Sequence, residues 1–256
     1  IHYLRDIADR AILIENGRIV RELNAEAFGG LTSESANGMG LRSIDLPALV
    51  PSDAFARLER ESLRLEHLSY RYNKDSMPLE DVSLCVPRGA VVGIVGSNGA
   101  GKSTLLEIIC GLKKENTGRV LADGAPVSTK TRIKSSYLVM QDSDYQLFTE
   151  SVEKELYLGA EPGSALQAKG AALLDRMDLT DFALRHPASL SGGQKQRLCI
   201  AVACMKDAEI VCLDEPTSGL DYRRMKNVSA LLRELSGTGK TILLTSHDFE
   251  FLLSAC

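Results

Sequence analysis

Two groups of residues in this chain have the types and spacing to bind and cleave a nucleoside triphosphate. The first is Gly96-Ser97-Asn98-Gly99-Ala100-Gly101-Lys102-Ser103-Thr104. Gly96, Gly99 and Gly101 let the backbone turn tightly and aim N–H groups at phosphate oxygens. Lys102 is placed to reach the β- and γ-phosphates, and the Ser103 hydroxyl to ligate Mg²⁺. The second group is the carboxylate pair Asp214 and Glu215. Asp214 is expected to hold the Mg²⁺ ion through water, which leaves Glu215 to polarise the attacking water.

The flanking sequence supplies elements that would position both groups. Residues 91–95 are a short, mostly β-branched run, as expected of a buried parallel strand, and residues 105–109 continue as a helix. The glycine-rich stretch then joins a strand to a helix N-terminus, where the helix dipole favours an anion. Residues 209–213 form a second apolar strand. It delivers Asp214 and Glu215 to its C-terminal edge, where α/β folds bind ligands. Taken singly, the motifs read as a turn with an incidental Lys-Ser and as two acids capping a strand. Together they predict an α/β fold of the P-loop NTPase type.

Leu190-Ser191-Gly192-Gly193-Gln194 narrows the class, because it resembles the signature of the ATP-binding cassette (ABC) family. The resemblance covers residues 63–256. It implies a RecA-like core, an antiparallel β subdomain and an inserted α-helical subdomain. It assigns Gln141 to the Q-loop, as a catalytic and Mg²⁺-contacting residue beside Ser103 and Asp214. His247 matches the switch histidine that contacts the γ-phosphate, and Asp221 the D-loop that communicates across a dimer. An aromatic stacks on adenine in this family; Tyr72 is favoured here, with Tyr70 the alternative and a Tyr packed at a sheet edge the plainer reading. The implied nucleotide site comprises Tyr72 and residues 96–104, with Glu215, His247, Gln141 and Lys102 acting in catalysis. Ser191, Gly192, Gly193, Gln194 and Asp221 would serve ATP held by a partner cassette. Ser191 stands at an N-cap position, and the two glycines permit close approach to a γ-phosphate.

Composition excludes several alternatives. The chain has 256 residues, 44% of them hydrophobic, a net charge of −4 and a pI near 5.7. That size suits one α/β domain with a piece of another, and the charge leaves no basic footprint for nucleic acid. No apolar run is long enough to span a membrane, and no leader resembles a signal peptide. Six cysteines (Cys85, Cys110, Cys199, Cys204, Cys212 and Cys256) show no metal-ligand spacing. They are expected to be small buried hydrophobes in a reducing cytoplasm.

The chain divides by composition into residues 1–23, 24–61 and 62–256. The last is expected to be a cassette lacking its C-terminal tail, with its helical subdomain over about 142–206. Residues 151–186 are rich in helix formers, broken at Glu161-Pro162-Gly163. A helix–turn–helix joint is expected over 178–182, with Thr180 or Asp181 as N-cap. Residues 8–20 place Asn16-Gly17 between apolar runs, a hairpin signal. They resemble the stretch that closes a cassette, so residues 1–23 are read as the end of a preceding one. His2 falls out of register for a switch histidine. Residues 24–61 are expected to be linker, with a short helix over 53–61. Residues 1–8 align with 249–256, which suggests an excerpt cut at equivalent places in two successive cassettes. The hairpin would then either fill the sheet edge of the second cassette in permuted order or stay loosely attached.

Residues 139–152, with Gln146-Leu147-Phe148 at their centre, resemble the segment after the Q-loop in energy-coupling-factor (ECF) transporters. The resemblance implies an ATPase at the cytoplasmic face of the cell membrane. Its partners would be a second cassette, a membrane coupling subunit and a substrate-binding membrane subunit, with no nucleic acid. Vitamins or transition-metal ions would be the cargo. Another ABC importer or exporter is the alternative, and a soluble non-transport ABC protein a further one. Residues 145–148, beside Asp142 and Asp144 and the helix after Ser151, are expected to receive an Arg-bearing helix of the membrane subunit. The plainer reading packs Leu147 and Phe148 inside the helical subdomain.

Overall fold

Apolar runs become strands and amphipathic runs become helices in the computed structural model, which describes residues 7–15, 17–45, 60–73 and 76–256. His2, most of the register drawn over 1–8, Asn16, and the helix expected from 53 onward lie outside the described residues, and Glu61 already begins a strand. The first elements are a hairpin, β1 (Arg10–Glu15) and β2 (Arg18–Asn24), followed by α1 (Ala25–Gly29) and α2 (Ser33–Gly38). β3 (Glu61–Tyr70) pairs antiparallel with β4 (Leu79–Pro87), and β5 (Val91–Ile94) leads into α3 (Lys102–Ile109). Next come β6 (Thr117–Ala122), β7 (Ala125–Pro126), α4 (Thr129–Ser135) and β8 (Ser136–Val139). The inserted helices are α5 (Val152–Leu156), α6 (Ser164–Arg176) and α7 (Gly192–Met205). β9 (Ile210–Asp214), α8 (Tyr222–Gly237), β10 (Thr241–Thr245) and α9 (Phe249–Ala255) close the described chain.

A parallel sheet, ordered β5-β10-β9-β8, forms the centre, and an antiparallel sheet ordered β4-β3-β6-β7 lies beside it. β9 and β10 are buried throughout, as strands covered on both faces must be. Their alternate residues feed different cores. Cys212 and Leu243 pack with Leu106, Ile108 and Ile109 of α3 and with Leu63, Leu65 and Leu68 of the antiparallel sheet. Val211, Leu213, Ile242 and Leu244 face the other way, onto Leu198, Val228, Leu232 and Phe251 of α7, α8 and α9. Each such fully buried side chain contributes about 1.5–3 kcal/mol. α3 is thereby held between the two sheets, which fixes the glycine-rich loop at its N-terminus.

Several expectations need correction. Cys85 and Cys256 are exposed; Cys85 lies on the outer face of β4, where the strand's alternation turns it toward solvent. The joint at 178–182 is a single 3₁₀ turn, Thr180–Phe182, preceded by Leu179 and without a side-chain cap. Within the expected linker, Asn24 and Thr32 accept from the Ala27 and Ser35 N–H groups and start α1 and α2. Phe28, Leu31, Ala36 and Ile44 bury a small apolar cluster there. The hairpin pairs only with itself among the described residues, so the permuted sheet edge is ruled out.

Candidate functional site

The site is assembled from four strand ends and one loop. β5 runs into the glycine-rich loop, and Gly101 at φ +90° is the N-cap of α3. A Cβ at Gly101 would stand 2.4 Å from the Pro78 carbonyl oxygen, so glycine is required there for both conformation and space. Lys102 Nζ donates to the Gly96 and Ser97 carbonyls at 2.8 and 3.0 Å and lies 3.5 Å from His247 Nε2. The Tyr72 hydroxyl is 2.9 Å from that of Thr104, which tethers Tyr72 to the flank of the loop with its ring half exposed. Lys113 Nζ sits 5.0 Å from the Tyr72 ring centroid. Tyr70 meets Tyr72 edge-on and packs toward the core, away from the cleft.

β9 ends in Asp214, which is buried; its Oδ1 accepts from Thr245 Oγ1 at 2.5 Å. Glu215 follows at φ +49°, a left-handed conformation that costs a non-glycine residue of this size about 1–3 kcal/mol. It is held there by its N–H, which donates to Thr245 O at 3.2 Å and to Thr245 Oγ1 at 3.0 Å. Glu215 Oε2 accepts from the His247 N–H at 3.3 Å. Its Oε1 is buried without a hydrogen bond, 3.5 Å from His247 Nε2. A carboxylate on a strained backbone in the wall of a cleft, with one oxygen left without a hydrogen bond, is suited to taking up a water molecule.

These residues line one open cleft of about 820 Å³. Tyr72, residues 98–104, Gln141, Asp214, Glu215 and His247 all face it, and Gly96 and Ser97 reach it through Lys102. The oxygen donors there are the Ser103 hydroxyl, the Asp214 carboxylate and the Gln141 side-chain amide. Such a set fits Mg²⁺, which takes one or two protein carboxylates and completes its shell with phosphate and water. No cluster of three or more His, Cys, Asp or Glu among the described residues could hold a metal unaided. Thr245, Thr217 and Ser218 also belong to this neighbourhood and escaped the sequence reading. For Thr245 the available signal is a hydroxyl at the C-terminal end of a strand next to a paired carboxylate.

Residues 190–194 and Asp221 do not line this cleft. Gly192 and Gly193 line a second cleft with Gln141, Asp144, Ser218 and Gly219. Ser191 caps α7 in a full capping box: its Oγ accepts from Gln194 N, and Gln194 Oε1 accepts from Ser191 N at 2.7 Å. Asp221 caps α8, accepting from Arg224 N at 2.8 Å and pairing with the Arg224 guanidinium at 2.5 Å. Gln141 is the one predicted residue shared by both clefts.

The family model for ABC transporters matches residues 79–218, from β4 through the carboxylate pair. The chain belongs to the ABC transporter ATP-binding family. Its cassette is an ABC ATPase domain with the P-loop NTPase fold. It is 36% identical to a "Putative ABC transporter ATP-binding protein" of Treponema denticola, over the whole chain and 53% of that protein. Against the energy-coupling factor transporter ATP-binding protein EcfA2 of Methanospirillum hungatei it is 37% identical, covering 73% of the chain and 50% of that protein. The chain thus spans about half the length of these curated relatives. Among solved structures, cbiO1 of Clostridium perfringens, part of the complex cbiONQ, superposes with a TM-score of 0.64 at 32% identity, covering 74% of this chain and 80% of that one. The dimeric ATP-binding cassette MJ0796 bound to ADP and Pi gives 0.65 at 30% identity, covering 74% and 89%. No helix among the described residues is long and apolar enough to cross a membrane.

Proposed function

We propose that this cassette hydrolyses Mg²⁺-ATP at the cleft of Lys102 and Glu215 to power an ECF-type importer. The observation that carries the reading is the convergence of Lys102, Asp214, Glu215 and His247 on one cleft while Gly192 and Gly193 face another. Tyr72 stacks on the adenine, and the N–H groups of residues 96–104 with Lys102 bind the phosphates. Ser103, Asp214 and Gln141 would hold Mg²⁺, which when bound would supply positive charge against the phosphates. Glu215 Oε1 orients and polarises the attacking water, and His247 contacts the γ-phosphate. Ser191, Gly192, Gly193, Gln194 and Asp221 act on ATP held by a second cassette, so turnover requires two cassettes facing each other.

Likeness to EcfA2 and to cbiO1, together with Gln146-Leu147-Phe148, supports the ECF reading. On that reading the cassette works at the cytoplasmic face of the membrane with a coupling subunit and a substrate-binding subunit. It imports a vitamin or a transition-metal ion. Residues 1–23 belong to the end of a preceding cassette, 24–61 to the connection and 62–256 to the second cassette.

Glu215→Gln tests the chemistry. The variant should bind ATP as the wild type does and accumulate closed, ATP-bound cassette pairs, with turnover reduced about 10²–10⁴-fold. Steady-state hydrolysis near the wild-type rate would refute the assignment. Co-purification with a membrane protein tests the transport reading, and recovery with ribosomes instead would refute it.

A further inference from the structure

Residues 38–45 are fastened to the hydrolytic end of the cassette by a dense set of polar contacts. Arg42 Nη2 lies 2.7 Å from Asp248 Oδ2 and donates to the Leu220 carbonyl at 3.2 Å. The Ser43 N–H donates to both Glu250 carboxylate oxygens at 3.2 Å, and its hydroxyl donates to Oε1. The Gly40 carbonyl accepts from Tyr222 N at 3.2 Å, satisfying a first-turn N–H of α8 that has no partner within the helix. Both loops gripped in this way matter to ATP. Leu220 immediately precedes Asp221. Asp248 follows His247, lines the nucleotide cleft, and caps α9 by accepting from Phe251 N at 3.0 Å.

We propose that Arg42 is a positioning residue for ATP hydrolysis: by joining Asp248 to the Leu220 carbonyl, it locks the His247 loop to the Asp221 loop and makes turnover depend on where residues 38–45 sit. A single planar guanidinium suits this task, because it presents several donors in fixed directions and reaches a carboxylate and a carbonyl at once. Asp248 divides its two oxygens between the jobs, Oδ1 to the helix cap and Oδ2 to Arg42. A displacement of the segment is therefore transmitted to the backbone that follows His247. Arg42 Nη1 is buried with no hydrogen-bond partner among the described residues. The inference is independent of the transported cargo and rests on the hydrolytic site at Glu215 and His247.

The test compares Arg42→Ala, Arg42→Lys, Asp248→Asn and the Arg42→Ala/Asp248→Asn double variant in the intact polypeptide. Steady-state ATPase, fluorescent-nucleotide binding and thermal melting are measured for each. Arg42→Ala should lower kcat about tenfold with KM and nucleotide affinity within about twofold of wild type. Arg42→Lys should recover part of that loss, since one ammonium holds the carboxylate but not the carbonyl in the same geometry. The double variant should be no slower than the slower single one, as expected of two residues acting through one contact. Arg10→Ala, which breaks an ion pair within the hairpin, is the control and leaves kcat unchanged. A wild-type kcat in Arg42→Ala overturns the proposal. So does a loss of kcat that tracks a lowered melting temperature and is not relieved by lysine. Glu215→Gln assayed alongside separates the two readings: if it turns over normally, the hydrolytic assignment has failed, whatever Arg42 does.

Discussion

Glu215 is held against its own backbone preference. Its left-handed conformation turns the side chain toward His247, and the two hydrogen bonds from its N–H to Thr245 keep it there. The same threonine donates to Asp214 Oδ1, so one fully buried hydroxyl orders both carboxylates. Thr245→Val retains the shape and removes the hydroxyl. It leaves Asp214 Oδ1 without its donor and Glu215 N with only the carbonyl. Equilibrium urea unfolding should show a loss of about 1–3 kcal/mol. Turnover should also fall and require more Mg²⁺ for half-maximal rate, because the proposed metal-holding carboxylate is less fixed. Unchanged stability together with an unchanged Mg²⁺ dependence would show that Thr245 does not organise the pair.

At the scale of elements, α7 carries two burdens. Most of its length is buried, from Gln196 to Cys204, and burial pushes the Cys199 and Cys204 thiols up to about 12. Its N-terminus meanwhile presents Ser191, Gly192 and Gly193 to the surface, with Ser191 closing the capping box. Ser191→Ala should cost about 1 kcal/mol, read as a fall of about 2–4 °C in melting temperature. Ser191→Asp keeps a capping acceptor, so it should restore most of the stability while placing a negative charge where the signature is proposed to meet the partner's γ-phosphate. Recovered melting with turnover still lost would separate the cap from the proposed function; recovery of both would argue against a role in trans. Elements such as β5, β9 and β10 were legible in the sequence because residues 91–94, 210–214 and 241–245 are apolar runs bounded by glycine, acid or hydroxyl residues. The candidate cleft was legible because its main residues sit at or just beyond the ends of such runs. α2 was not, since Ser, Asn and Gly disfavour helix interiors, and α1 was not, since five residues are too short a run to show helical periodicity; the side-chain caps of Asn24 and Thr32 and the burial of Phe28 and Ala36 hold them. Arg42 was illegible for another reason. Its partners lie far along the chain, Leu220 at a separation of 178 residues, and no local pattern encodes them.

Across the whole molecule, the surface just after Gln141 is divided between packing and exposure. Leu147 is half-buried against the helical core, whereas Tyr145 and Phe148 are each 72% exposed. The buried Glu155 carboxylate accepts from the Phe148 and Thr149 N–H groups, which fixes the loop backbone while leaving the Phe148 ring outside. Asp142 and Asp144 flank the aromatics, and Asp144 pairs with Lys195 of α7 at 2.5 Å, linking this surface to the signature helix. An exposed aromatic pair beside acidic groups suits a partner helix bearing apolar and basic residues, the docking surface we assign to the membrane coupling subunit. The division predicts opposite outcomes for neighbouring residues. Phe148→Ser should leave the melting temperature unchanged, remove co-purification with the membrane subunit and uncouple ATP hydrolysis from transport. Leu147→Ala should instead lower stability by about 1–3 kcal/mol, because it opens space in the helical subdomain without stripping the exposed face. Cysteines introduced at 145 should crosslink to the membrane subunit in the assembled complex. If Phe148→Ser assembles normally and no crosslink forms at 145, the membrane subunit docks elsewhere, and the exposed aromatics must be explained by some other contact.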